Sequence, residues 1–200
     1  MRKRAVVQVR RPGMFRWAVV MGAVLVAVGA CALPGSGDGL VGERLTEFPA
    51  IDRSVLTPAQ VAVVAAAETE FADPGSGADY SEGTDEPWCA NFVSWVLREA
   101  GMPLANPNSG SWRIPGVYTL QEYYESRGRF VAFDPGYRPT TGDVILYGPG
   151  SRYGQHTNIV LVAEGATVTT IGGNEGDIVR IERWEPASVP DIDIVGYGRL

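Results

Sequence analysis

The chain holds a single histidine, His156, and two cysteines, Cys31 and Cys89. A thiol and an imidazole are a nucleophile and a base, and together they can open an amide through an acyl-enzyme. Cys89 stands in "EPWCANFVSWVLREAG", residues 86–101. Phe92, Val93, Val96, Leu97 and Ala100 recur there at helical spacing; Pro87 suits a first helical position and Gly101 a stop. Cys89 is therefore expected in the first turn, where unpaired backbone N–H groups favour a thiolate. Its base, if the chain supplies one, must be His156, in "GQHTNIVLVAEG" just before an expected strand. The later "TIGGNEG" puts Asn174 and Glu175 at a strand end or turn. An amide or carboxylate there could orient the imidazole. Asn174 is the first choice for that role, through its carbonyl oxygen. Glu175 is the alternative, because alternation along a strand would turn it the other way.

Where the thiol sits in the cell matters to this chemistry. The first 30 residues carry six of the 17 basic residues and no acid, which leaves 11 basic against 23 acidic residues in the rest. A folded part so acidic has no basic face for nucleic acid. After the basic start comes "WAVVMGAVLVAVGACAL", residues 17–33, with no charged side chain. This run reads as a signal peptide or a membrane anchor, with the basic flank inside and the remainder on the extracytoplasmic face of the cell envelope. The segment "VGAC" also has the form of a lipoprotein cleavage box, with Cys31 as the lipidated residue. Lipoprotein, cleaved secreted protein and uncleaved anchor all remain open. Cys31 lies in or beside the membrane on each reading, so Cys89 is an unpaired thiol in an exported domain.

The elements that must position these groups follow from pattern. Residues 1–33 are the signal or anchor segment, 34–47 a flexible tether ("PGSGDGLVGERLTE"), and 48–200 the folded domain. "TPAQVAVVAAAETEF", residues 57–71, reads as a helix with Thr57 as cap and Gln60 completing a capping box. Residues 72–86 are rich in turn formers, and 119–128 read as a short helix ending at Gly128. The period then changes to short β-branched and aromatic runs: "RFVAF", "DVILY", "NIVLVAEG", "TVTTIGG", "DIVRIERW" and "DIDIVGYGRL". Helices first and strands after predict an α+β fold, with helices packed on an antiparallel sheet.

Four stretches, "PWCANFVSWVLREAG", "TGDVILYGPG", "GQHTNIVLV" and "TIGGN", resemble in order and spacing a CHAP domain, a cysteine, histidine-dependent amidohydrolase/peptidase related to NlpC/P60 and papain-like enzymes. The resemblance covers roughly residues 57–200. It implies a papain-like (NlpC/P60-like) fold and a cell-wall hydrolase that cuts amide bonds in peptidoglycan, either the muramoyl–L-alanine amide or a peptide bond. Cys89 resembles the family's nucleophile and His156 its general base. Two departures stand out. The family often has His-Val-Gly where this chain has His156, Thr157 and Asn158, and many members carry a glutamate where Gly172 stands. The second leaves room for a binding or scaffold module without activity, and thioester chemistry also allows an acyltransferase.

Trp88 and Trp112 are candidates for a substrate groove, whereas Trp95 suits the core. Asp79, Ser81, Gly83 and Asp85 alternate as in calcium loops but lack the closing glutamate, so solvated acids are expected. One histidine and one free exported thiol make a zinc site unfavourable, and neither a metal nor another cofactor is expected. The expected partners are a peptidoglycan peptide as substrate and the membrane, through the N-terminal segment or a lipid.

Overall fold

A computed structural model describes residues 41–200. The expected signal or anchor segment, Cys31 and the first half of the expected tether lie outside the described residues. Among these there are four α-helices and seven strands. The helices are α1 (Pro58–Ala72), α2 (Gly77–Tyr80), α3 (Cys89–Glu99) and α4 (Val117–Ser126). The strands are β1 (Glu43–Leu45), β2 (Phe130–Ala132), β3 (Val144–Tyr147), β4 (His156–Glu164), β5 (Thr167–Gly172), β6 (Arg180–Trp184) and β7 (Ile194–Gly198). The strands make one antiparallel sheet in the order β1-β6-β5-β4-β3-β7-β2. The α+β reading holds. No helix among the described residues is long and apolar enough to cross a membrane.

Local chemistry sets the helix ends. In α1 the Thr57 hydroxyl accepts from Gln60 N–H while the Gln60 side chain accepts from Thr57 N–H, so each satisfies an orphan donor. Helix α3 starts two residues later than Pro87 suggests: Trp88 is its cap and Cys89 its first residue. It stops at Gly101, whose φ of 77° reverses the chain. Part of the expected tether differs from expectation too. Residues 43–45 are β1, an edge strand paired with Arg183, Glu182 and Ile181 of β6. Three residues carry no alternation to read, and it is the sheet edge that holds them.

The sheet buries both faces. Leu146, Ile159, Leu161, Ile171 and Ile181 join Phe92, Val93, Val96 and Leu97 of α3 in the main core. The opposite face carries Ile145, Tyr147, Val160, Val168, Trp184 and Tyr197. Alternation along β4 places His156 and Asn158 on this second face with Val160. The motif "TGD" before β3 is a structural turn. Buried Asp143 accepts from Thr140 N–H (2.9 Å), the Tyr137 hydroxyl (2.9 Å) and Leu200 N–H (3.2 Å), locking the chain terminus to the sheet.

Candidate active site

The start of α3, the start of β4 and the turn after β5 converge at one point. A Cβ on Gly173 would lie 2.4 Å from Trp88 Cζ3 and 2.5 Å from Phe92 Cβ, so the turn sits directly on the helix start. Glycine is needed there for space. Cys89 and His156, 67 positions apart in sequence, face each other across this junction, close enough for the sulfur to act on the imidazole. Both are largely covered, with 4% of Cys89 and 8% of His156 accessible. Phe92 is the first residue bonded into the α3 ladder, through Trp88 C=O (2.9 Å). The Cys89 N–H thus lies outside the ladder beside its own sulfur, where it could meet an oxyanion.

The third group corrects the sequence ranking. His156 Nε2 lies 3.2 Å from Glu175 Oε1, and Glu175 is only 3% exposed. Alternation misled because β5 ends at Gly172 and residues 173–178 form a tight turn, not a strand. Asn174 adopts a left-handed φ of 57° at the head of that turn, and Glu175 N–H donates to Ile178 C=O (3.0 Å). Asn174 turns the chain and Glu175 meets the ring. With Nε2 engaged by the carboxylate, Nδ1 is the nitrogen left for the sulfur.

The electrostatics favour a charged imidazole. Burial alone would pull its pKa down, because desolvation penalises the cation. Hydrogen bonds to Cys89 and Glu175, with the negative charge of both, outweigh that and hold His156 up at about 10. Tyr147 stacks on the ring at 5.9 Å and donates its hydroxyl to Asn158 Oδ1 (3.2 Å). Burial raises the Tyr147 phenol well above its ordinary range, so it stays a neutral donor. Thr157 donates to Ile145 C=O (2.8 Å). The Thr157 and Asn158 departures thus bind β3 to β4 beside the histidine.

Of the two predicted groove tryptophans, Trp88 is buried and Trp112 half-buried. Trp88 is 4% exposed, stacks on Tyr80 (5.2 Å) and donates from its indole N–H to Asp177 Oδ1 (3.1 Å). It is a strut between the helix start and the turn that carries Glu175. Trp112 packs away from the thiol, against Trp95 (6.0 Å) and under the Arg98 guanidinium (4.0 Å) near the far end of α3. An apolar groove lined by Phe133, Tyr137, Ile145, Val168, Ile194 and Tyr197 contains none of Cys89, His156 and Glu175. Among the described residues no three histidine, cysteine or acidic side chains cluster as metal ligands. The Asp177 contact was not foreseen; its only trace in the sequence is its place in the same short turn.

Comparison with known proteins finds the CHAP domain family at residues 80–174. The match takes in Cys89 and His156 and stops one residue short of Glu175. No curated protein matches the chain. The helix-borne cysteine, the strand-borne histidine and the matched stretch agree: the chain carries a CHAP domain.

Proposed function

We propose that this protein is a cysteine amidohydrolase or peptidase that cleaves an amide bond in peptidoglycan, with Cys89 as nucleophile, His156 as acid–base and Glu175 as the group that orients the imidazole. The observation that carries the reading is the meeting of Cys89 and Glu175 at one imidazole, His156, in and just beyond the stretch that matches the CHAP domain. At neutral pH the imidazole holds its proton, opposite a thiolate favoured by the helix start. The thiolate attacks the amide carbonyl, and the Cys89 N–H helps to stabilise the oxyanion. Nε2–H stays bonded to Glu175 Oε1 while Nδ1–H protonates the leaving amine. The neutral imidazole then takes a proton from water, whose hydroxide adds to the thioester and expels the sulfur, restoring the thiolate and the imidazolium.

The scaffold reading rests on Gly172, and a buried carboxylate on the imidazole weakens it. On this proposal the fold is papain-like, residues 1–33 hold the domain at the extracytoplasmic face of the envelope, by an anchor or a lipid on Cys31, and the bond cut is the muramoyl–L-alanine amide or a stem- or cross-bridge peptide bond. Mass spectrometry of purified peptidoglycan after incubation with the full chain tests it. New amino termini should appear with wild type and not with Cys89→Ala. Identical fragments from both proteins would overturn the reading.

A further inference from the structure

Gly172 is the last residue of β5 and has no positive φ, so its backbone does not call for glycine. Space does. A Cβ at this position would lie 2.1 Å from Glu175 Oε1, 2.8 Å from Glu175 Cδ and 3.1 Å from Asn158 Cβ. The first two distances are impossible contacts, so the carboxylate of Glu175 fills the volume that a side chain at 172 would take. The sheet register explains the third contact: Ile159 pairs with Ile171, which places Asn158 across from Gly172. Both positions are those where the chain departs from the family pattern, and the two departures touch.

We infer that Gly172 is a positioning residue: its missing side chain lets the turn at 173–178 fold Glu175 back over the end of β5 and deliver from position 175 the carboxylate that orients His156. The strand end is left empty so that a residue three positions later can occupy it. The turn is shaped for this. Asn174 (φ 57°), Gly176 (φ 70°) and Asp177 (φ 63°) all take left-handed conformations within four residues. For the non-glycine residues Asn174 and Asp177 such conformations cost free energy and persist where surrounding contacts hold them. Here those contacts are the Glu175 N–H bond to Ile178 C=O, the Trp88 bond to Asp177, and packing of Gly173 on Phe92. The substitution Gly172→Asp would carry carboxylate oxygens one C–C and one C–O bond from the new Cβ, close to where Glu175 Oε1 now stands.

This inference rests on Glu175 as the orienting group, and the single histidine lets it be read without any hydrolysis assay. The groups facing that ring are Cys89 from α3, Tyr147 from β3, Asn158 from β4 and Glu175 from the turn, with the charges of Glu182 and Arg180 beyond them. The experiment titrates the His156 ring signals by NMR in the full-length protein and measures stability by denaturant unfolding. Gly172→Ala should lower the His156 pKa as far as Glu175→Ala does, and the double variant should lower it no further. Gly172→Ala should destabilise wild type but cost much less in the Glu175→Ala background, where the clashing carboxylate is gone. Gly172→Asp combined with Glu175→Ala should raise the pKa again, towards the wild-type value. A His156 titration unmoved by Gly172→Ala, or a destabilisation equal in both backgrounds, would overturn the inference. If Gly172→Ala does not fold, the double variant Gly172→Asp, Glu175→Ala still decides, since it keeps a carboxylate at the ring and removes the clash; a His156 pKa there no higher than in Glu175→Ala would overturn the inference. Absence of peptidoglycan cleavage by wild type would instead count against the hydrolase and leave these titrations readable.

Discussion

Replacing Glu175 by glutamine keeps the shape of the side chain and a hydrogen-bond acceptor but removes the charge beside the imidazole. At the observed 3.2 Å, Coulomb's law with an effective dielectric of about 20 gives about 5 kcal/mol for the lost attraction. Relaxation and the retained hydrogen bond reduce the net effect. Carboxylate partners at this range ordinarily move a pKa by about one to three pH units, or about 1.4 to 4 kcal/mol. His156 should therefore titrate well below its wild-type value of about 10 in Glu175→Gln. Because the chain has one histidine, NMR titration of its ring carbons and nitrogens needs no assignment. The alkaline limb of the activity profile should move down by the same amount, since it reports loss of the imidazolium proton. A ring titration unchanged in Glu175→Gln would refute the reasoning, because the carboxylate would then not act on the imidazole at all.

Three further outcomes follow from the same geometry. A histidine whose folded-state pKa is raised contributes stability that is fully present below about 6.5 and lost as pH rises through about 10, at no more than about 1.4 kcal/mol per pH unit; denaturant unfolding across that window should show a larger loss in wild type than in Glu175→Gln. Gly173→Ala forces a Cβ to within 2.4 Å of Trp88 and 2.5 Å of Phe92; overpacking of this kind costs about 1 to 3 kcal/mol, read as a lower unfolding midpoint together with a displaced His156 ring signal. Trp112→Ala should destabilise by about 1 to 3 kcal/mol through lost stacking on Trp95 and Arg98, yet leave turnover on peptidoglycan close to wild type; a large fall in kcat/KM with unchanged stability would return Trp112 to the substrate groove.

Much of the fold was legible because its signals are local. The Thr57–Gln60 capping box, the apolar spacing from Phe92 to Leu97 and the β-branched runs after residue 129 each specify an element without help from the rest of the chain. Edge strand β1 was not legible, since three residues paired to β6 owe their conformation to the sheet. The two ends of the candidate dyad could be read from the residue inventory, because one histidine and one cysteine within residues 48–200 leave no choice. The third group could not. Choosing between Asn174 and Glu175 depended on where β5 ends, and a shift of one residue reverses the facing of every side chain after it. Trp88 was hard to place for a related reason. Sequence shows an aromatic next to a nucleophile but not the two small residues, Gly77 and Gly173, that let the Trp88 ring lie flat within the junction.

The account centres on a covalent bond between Cys89 and the acyl part of a cleaved amide. Intact-protein mass spectrometry after acid quench of the full chain reacting with soluble peptidoglycan fragments observes that bond directly. The account predicts an adduct with the mass of the fragment less its leaving amine, mapped to Cys89, released by hydroxylamine and absent in Cys89→Ala. Cleavage of the fragments with no adduct on Cys89, or with Cys89→Ala fully active, would contradict it.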